Sequence, residues 1–311
     1  MDQSSTSNNA TKDPVNVYIW DLDETLILLK SLLTGAYAEA LNGLKDSQTG
    51  VKIGKCWEKL ILQVCDEHYF YEQIENYNEP FIDSLLEYDD GRDLSGYDFS
   101  NDGLSPPFDD SIKRKLAYRH RVIAQKYEQG LHNILDEKTI KFWSDHYDLT
   151  DNFTDGWLSS ARAFLEQASG KSGVPTPCLL SSGMTTDSTD AKTQNIHFLV
   201  TSGSLIPSLV KLQLFHLDDF FSYKQVYSSW EVGKLQCFTW IKARFGGPSV
   251  RFCVIGDGFE ECEAAERMRW PFIQIDLQPN GPHRFPGLTM DLMGHYINVV
   301  YDTSDAKKDD E

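Results

Sequence analysis

The sequence predicts an α/β protein whose core is a Rossmann-like parallel sheet, with an all-helical cap inserted into it. Near the amino end, the apolar run at 17–20 has the length and composition of a buried strand. From about residue 169 onward, short apolar runs alternate with helical patterns, which is typical of parallel strands joined by crossovers. Roughly 120 residues separate the first strand from that pattern, far more than a loop contains. We therefore predict a core at 14–29 and 152–301, interrupted by a helical cap at 30–151.

Composition limits the classes of protein that this chain can be. It has 311 residues, 41% of them hydrophobic, so it can bury a large core. Its net charge of -18 repels nucleic acid and anionic lipid, and no apolar run is long enough to span a membrane. Residues 1–13 are predicted to be a disordered leader and residues 302–311 a charged tail. The cysteines form no C-x-x-C pair, which favours reduced thiols in the nucleus and cytoplasm.

The cap region is predicted to contain helices and one long loop. Apolar residues recur at helical spacing over 57–71, 111–131 and 137–147. The segment 87–110 is rich in Asp, Gly and Ser, and we interpret it as a solvated acidic loop. Basic residues are concentrated in the helix at 111–131, where we favour a solvated face over a basic wall above a phosphorylated substrate. These basic residues are Arg114, Lys115, Arg119 and Arg121.

The second half of the chain is predicted to alternate between helices and strands. A polar linker at 169–177 and a Ser- and Thr-rich stretch at 181–192 precede the next strand. The predicted strands are 196–200, 250–255 and 271–275. The predicted helices are 157–168, 207–215, 233–245 and 260–269.

Two carboxylates follow the first strand directly, in the motif Asp21-x-Asp23-x-Thr25. In open α/β sheets, ligands lie just outside the carboxyl ends of the strands. Carboxylates rarely follow a buried strand unless something balances their charge, and Mg²⁺ would do so. We interpret Asp21 as a nucleophile for phosphoryl transfer and Asp23 as a proton donor. This motif alone leaves open that both residues merely cap the next helix.

Two further stretches supply groups that would hold a phosphate. Thr201 and Ser202 directly follow the predicted strand at 196–200, where a hydroxyl and a backbone N–H can bind phosphate oxygens. Thr201 could equally be a helix cap. Lys234 lies near the start of a helix, where the helix dipole disfavours an ammonium unless an anion is close. Lys224 and Lys242 are the alternatives for this cation.

The sequence Gly256-Asp257-Gly258 ends the predicted strand at 250–255. Two glycines allow the backbone to turn sharply and present the Asp257 carboxylate. Mg²⁺ prefers one or two protein carboxylates together with water and substrate phosphate. We predict Asp257 as a direct ligand, with Glu260 or Glu261 acting through water. The alternative is an acidic helix start, which the helix dipole alone favours.

In this order, the motifs resemble the haloacid dehalogenase superfamily of aspartate-based phosphatases. A narrower resemblance, to the Eyes absent family, covers about 15–301 and suggests a plant-type form without the long N-terminal region of the animal proteins. The stretches that carry it are Trp20-Asp21-Leu22-Asp23-Glu24-Thr25, Ser31-Leu32-Leu33-Thr34-Gly35, Arg114-Lys115-Leu116-Ala117-Tyr118-Arg119, Val200-Thr201, Leu205-Ile206-Pro207, Gly233-Lys234 and Gly256-Asp257-Gly258. Cys262 departs from the family's acidic run after Gly258.

The resemblance implies a Mg²⁺-dependent protein tyrosine phosphatase with a haloacid dehalogenase-like fold. It assigns Asp21 as nucleophile and metal ligand, Asp23 as acid/base and a ligand through its carbonyl, Thr201 and Lys234 as phosphate-positioning residues, and Asp257 as the remaining carboxylate ligand. We add Thr25 and Ser202 as phosphate-binding residues, and Glu261 as a residue that contacts the metal through water.

The implied partners are a phosphotyrosine protein or peptide as substrate and a transcription factor, with no direct nucleic acid and no membrane. A small-metabolite phosphatase is one alternative, because helical caps often select small molecules. A mainly non-enzymatic acidic interaction scaffold is another. A cysteine-based phosphatase of the H-C-x5-R type is excluded, since no cysteine is followed by an arginine at the distance that this motif requires.

Overall fold

The computed structural model describes residues 15–170, 194–245, 247 and 249–305. The predicted leader, most of the predicted linker, and the polar stretch at 181–192 lie outside these residues, as do Cys178 and residues 306–311 of the predicted tail. In the described part of the chain, no helix is both long enough and apolar enough to cross a membrane.

Within the described residues, five parallel strands form one sheet, in the order β3-β2-β1-β4-β5. With helices on both faces, this confirms the predicted α/β fold with a parallel sheet. The sequence analysis did not predict β3, which has only three residues and thus no readable alternation. The strands are β1 (Val15–Trp20), β2 (Gln194–Thr201), β3 (Val226–Ser228), β4 (Val250–Gly256) and β5 (Phe272–Gln274).

The predicted helices are present, and several begin or end away from their predicted limits. The third helix begins ten residues earlier than predicted, because the Asp46 side chain accepts a hydrogen bond from the Thr49 N–H at 2.8 Å and caps it. The last helix was not predicted, and it includes residues 302–305 of the predicted tail. The helices are α1 (Lys30–Thr34), α2 (Ala36–Ala40), α3 (Ser47–Tyr69), α4 (Tyr71–Ile74), α5 (Asp110–Gln129), α6 (Glu137–Phe153), α7 (Trp157–Ala168), α8 (Leu205–Leu214), α9 (Lys234–Arg244), α10 (Phe259–Met268) and α11 (Met290–Asp305), with 3₁₀ turns at Ile82–Tyr88, Leu131–Asn133 and Tyr223–Gln225.

The central strand β1 is buried on both faces, because successive side chains of a strand point to opposite sides. Val17 and Ile19 pack into an apolar cluster with α9 and α10. Tyr18 and Trp20 pack into a larger cluster on the other face, together with α7, α8 and the helices that precede α7. The helical insertion and this face of the sheet therefore share one continuous hydrophobic core.

Buried hydrogen bonds attach the insertion to the end of α8 that lies away from the carboxyl edge of the sheet. The indole N–H of Trp143 donates to the Leu214 carbonyl at 2.6 Å. The Tyr69 hydroxyl donates to the Gln213 side chain, and the Gln213 amide donates to the Tyr127 carbonyl at 3.1 Å. These bonds satisfy polar groups that would be costly to bury alone.

The residues at 89–109 form a loop, as predicted, but the loop is held down by basic side chains rather than being fully solvated. Arg119 is completely buried and pairs with Asp102 at 2.7 Å. Arg121 pairs with Asp89 at 3.0 Å. The prediction of a solvated basic face on this helix is therefore wrong at Arg119. A buried guanidinium needs a carboxylate and carbonyls around it, and the acidic loop supplies them.

Candidate active site

The carboxyl ends of β1, β2 and β4 meet at one edge of the sheet, and the side chains that follow them converge there. The Asp21 N–H donates to the Ile255 carbonyl at 2.9 Å, which continues the ladder between β1 and β4 by one residue. Asp21 is therefore fixed by backbone hydrogen bonding, and its carboxylate is buried, with 7% of the residue exposed.

Lys234 lies directly beside Asp21. Its ammonium donates to Asp21 Oδ1 and to the Val200 carbonyl, the latter at 2.8 Å, and lies 3.5 Å from Glu261 Oε2. Only 4% of Lys234 is exposed, whereas Lys224 and Lys242 are exposed. Burial alone lowers the pKa of Lys234, but Asp21 and Glu261 outweigh burial and raise it, so that the ammonium stays charged.

Three carboxylates meet at this point, each with an oxygen within 4.8 Å of the others: Asp21, Asp257 and Glu261. Burial, reinforced by Glu261, raises the pKa of Asp21 to about 7 against the opposing effect of Lys234. Burial, with Glu261 and Glu24, raises the pKa of Asp257 to about 6. One ammonium does not balance three carboxylates, and hard oxygen ligands suit Mg²⁺. The residues therefore fit a divalent cation.

The two glycines around Asp257 allow Glu261 to approach the backbone. A Cβ at Gly256 would lie 2.7 Å from Glu261 Cγ, and a Cβ at Gly258 would lie 2.9 Å from Glu261 Oε1. The Gly258 N–H donates to Glu261 Oε1 at 2.8 Å. Neither glycine has a positive φ, so the sharp turn that we expected is not why glycine is needed. Space for the Glu261 carboxylate is the reason.

Asp23 contacts a lysine that the sequence analysis missed. Lys211 Nζ lies 2.8 Å from both carboxylate oxygens of Asp23. Lys211 is in the last turn of α8, where a basic side chain is normally exposed to solvent. The helix follows the strand-end Thr201 and packs against β3 and α3. No sequence pattern indicates this contact, because it depends on how α8 packs in the folded protein.

The loop after β2 lies next to Asp23. Thr201 is buried, and its hydroxyl accepts a hydrogen bond from the Gly203 N–H at 3.1 Å. A Cβ at Gly203 would lie 3.5 Å from Thr201 Oγ1 and 3.9 Å from Asp23 Oδ2, so this glycine leaves a small space between the two side chains. Ser202 is exposed, and its hydroxyl is 3.5 Å from Glu260.

Thr25 lies deeper than the other predicted phosphate-binding residues. It is fully buried, its hydroxyl contacts no hydrogen-bond partner in the described part of the chain, and its carbonyl accepts the Trp157 indole N–H at 3.2 Å. Before it, Glu24 adopts a φ of 62° and accepts the N–H groups of Leu29 and Ser31 at 3.0 and 3.1 Å. These bonds hold the loop that carries Asp21 and Asp23.

Cysteine chemistry is disfavoured at this site. The five described cysteines are free thiols, and Cys65, Cys237 and Cys253 are buried. Burial raises the pKa of Cys237 to about 12 and raises those of Cys65 and Cys253 further. A thiol must ionise to act as a nucleophile, so these buried groups are inert near neutral pH.

Known proteins resemble this chain over most of its length. It is 56% identical to the protein phosphatase EYA of Arabidopsis thaliana over 298 residues, which cover 96% of this chain and 94% of the plant protein. It is 32% identical to the protein phosphatase eya of Drosophila melanogaster, over 88% of this chain and 35% of the fly protein. It is also 32% identical to human protein phosphatase EYA1, over 85% of this chain and 43% of the human protein. No protein-family model matches the chain.

Proposed function

Because the chain belongs to the Eyes absent family of protein phosphatases, we propose that it hydrolyses phosphotyrosine in proteins or peptides through an aspartyl-phosphate on Asp21, with Mg²⁺ as cofactor. One observation carries the proposal. A buried carboxylate at the end of the central strand is paired with a buried lysine and lies beside two further carboxylates. A structural ion pair would not need the additional acidic groups.

Asp21 is the nucleophile in this proposal. Lys234 bonds its Oδ1, which leaves Oδ2 to approach the phosphorus. A bond forms between Oδ2 and phosphorus as the bond from phosphorus to the tyrosine oxygen breaks. Water then attacks the phosphorus, releasing inorganic phosphate and restoring the carboxylate. The Lys234 ammonium offsets part of the negative charge on the phosphoryl group during transfer. Its hydrogen bond to the Val200 carbonyl holds the ammonium in place.

Asp23 is the acid and base. It follows Asp21 by two residues, and both of its oxygens are held by Lys211, which fixes the orientation of the carboxylate. Orientation matters because proton transfer requires the heavy atoms to be within hydrogen-bond distance. A phenol has a pKa of about 10, so a tyrosine oxygen leaves more easily than an alkoxide. An aryl phosphate therefore demands less of Asp23 than an alkyl phosphate.

The cation would be held by carboxylates of Asp21 and Asp257 and by the carbonyl of Asp23, with Glu261 acting through water. When bound, Mg²⁺ supplies positive charge that offsets the phosphate oxygens. Thr201 and Ser202 would bind phosphate oxygens at the end of β2, next to the space that Gly203 leaves open.

The test is a panel of phosphorylated peptides and small phosphate esters, assayed with Mg²⁺ and with EDTA. We expect turnover of phosphotyrosine peptides above that of phosphoserine peptides and sugar phosphates. EDTA and Asp21→Asn should abolish it, whereas thiol alkylation should not. Sustained turnover by the Asp21→Asn variant would contradict the assignment of Asp21 as the nucleophile. A clear preference for small metabolites would contradict the proposed class of substrate.

A further inference from the structure

A groove of about 590 Å³ opens beside the candidate active site, between α10 and the segment that joins β3 to the start of α9. Lys234 and Ser202 line it, so the groove borders the place where the phosphate would bind. Leu235 and Ala264 provide apolar surface. A substrate held at Asp21 by its phosphate would therefore extend along this groove.

Trp230 forms one side of the groove and is 64% exposed. Its backbone is held close to the sheet, since the neighbouring Ser229 N–H donates to the Thr201 carbonyl at 2.8 Å and the Gly233 N–H donates to the Ser229 carbonyl at 2.7 Å. The ring is thus attached to a fixed loop and is largely exposed to solvent. A loop that is already ordered loses less conformational entropy on binding than a mobile one.

The opposite side of the groove is formed by α10 and carries two carboxylates and one guanidinium. Glu260 and Glu263 both line it. Arg267 also lines the groove and pairs with Glu263 at 2.6 Å, so these two opposite charges offset each other. Glu260 is exposed, contacts only the Ser202 hydroxyl at 3.5 Å, and forms no ion pair within the described residues. The groove therefore offers an aromatic face and an unneutralised carboxylate.

We propose that this groove binds a basic side chain, lysine or arginine, of the substrate peptide next to the phosphotyrosine. This proposal rests on the proposed function. The cation would lie between the Trp230 ring and the Glu260 carboxylate, because an aromatic face and an anion both attract it. The aliphatic stem would lie against Leu235. An acidic residue at the same place would meet Glu260 and be rejected.

The test compares phosphotyrosine peptides that carry lysine, norleucine or glutamate at one flanking position at a time. Norleucine keeps the aliphatic stem and removes the charge. At a position that reaches the groove, we expect kcat/KM for the lysine peptide to exceed that of the norleucine peptide by about three- to ten-fold, and glutamate to be worst. Lysine and norleucine peptides of equal kcat/KM at every position would overturn the proposal.

Two variants locate the effect. Trp230→Ala changes no charge, so it leaves the long-range electrostatic field of the protein intact. It should reduce the ratio of kcat/KM for the lysine peptide to kcat/KM for the norleucine peptide by about two- to five-fold. Phe259→Ala is the matched control, since Phe259 is an exposed aromatic at the same edge of the sheet that does not line the groove. An unchanged ratio in Trp230→Ala, or an equal loss in Phe259→Ala, would show that the preference does not arise in this groove.

The two proposals fail in different ways. If the proposed function is wrong, no phosphotyrosine peptide is turned over, and free phosphotyrosine is not a substrate. If only the groove proposal is wrong, turnover remains and flanking residues have no effect beyond a uniform attraction of basic peptides. Added salt removes that uniform attraction and leaves a position-specific preference largely intact.

Discussion

Replacing Lys234 by methionine would test the electrostatics of the candidate site most severely. Methionine keeps the length and apolar stem of the side chain and removes only the ammonium. Asp21, Asp257 and Glu261 would then share one small buried space without a cation, and the Val200 carbonyl would lose its donor. Removing one partner of a buried ion pair typically costs about 3–5 kcal/mol. We expect a loss of this size in the free energy of unfolding, measured by urea titration in EDTA at about pH 8.

The loss should depend on pH. The raised pKa of Asp21, about 7, means that the folded metal-free protein holds a proton there that the unfolded chain releases at lower pH. Binding of this proton therefore stabilises the folded protein fully at pH values below the usual pKa of aspartate. This stabilisation is lost as pH rises through about 7. Lys234 lowers the pKa of Asp21, so Lys234→Met would raise that pKa further. The deficit of the variant should be small near pH 5 and grow with pH.

A double variant checks the cause of this loss. Asp21→Asn in the Lys234→Met background removes the carboxylate that lacks a partner, so the double variant should be more stable than the sum of the two single losses predicts. An additive result would contradict the argument, as would a loss below about 1 kcal/mol that does not change with pH. Either result would mean that Lys234 does not compensate the buried carboxylates.

Four further outcomes are expected. Lys211→Met should lower kcat by about ten-fold with little change in KM, because Asp23 loses its orientation; a change in KM alone would contradict this. Gly256→Ala should cost about 1–3 kcal/mol of stability by urea titration and weaken Mg²⁺ binding by calorimetry, because the new Cβ displaces Glu261. Arg119→Met should speed proteolysis within 89–109 while the far-UV circular dichroism stays native; unchanged cleavage would show that the arginine does not hold the loop. Mg²⁺ should raise Tm more at about pH 8 than at about pH 5.5, because protons and the cation compete for the same carboxylates, and equal shifts would argue against this site.

The sheet could be predicted from the sequence because its central strands are buried on both faces and therefore read as continuous apolar runs. β1 and β4 are of this kind, and each is followed by a carboxylate. Parallel strands place their carboxyl ends at one edge, so the fold class predicts that Asp21 and Asp257 lie at the same edge. The pairing of β1 with β4 then makes them neighbours. The three residues of β3 carry no such pattern, and their pairing with β2 decides their structure.

Other contacts depend on tertiary structure that sequence patterns do not encode. Arg119 is one basic residue among several on its helix, and only the packing of the loop at 89–109 shows that it is buried. Lys211 belongs to the same class, since its partner Asp23 lies 188 residues away in the chain. The sequence shows the two glycines beside Asp257, but the need for them, space for Glu261, is a contact between side chain and backbone that only the structure shows.

The proposed function depends on transfer of a phosphoryl group to the Asp21 carboxylate. The most direct measurement is mass spectrometry of the protein, acid-quenched during turnover of a phosphotyrosine peptide, using an Asp23→Asn variant to slow hydrolysis of the intermediate. We predict one phosphoryl group on the peptide that contains Asp21, and conversion of that residue to homoserine by borohydride. A phosphoryl group on any other residue, or full turnover with no phosphorylated protein at any time, would contradict the account.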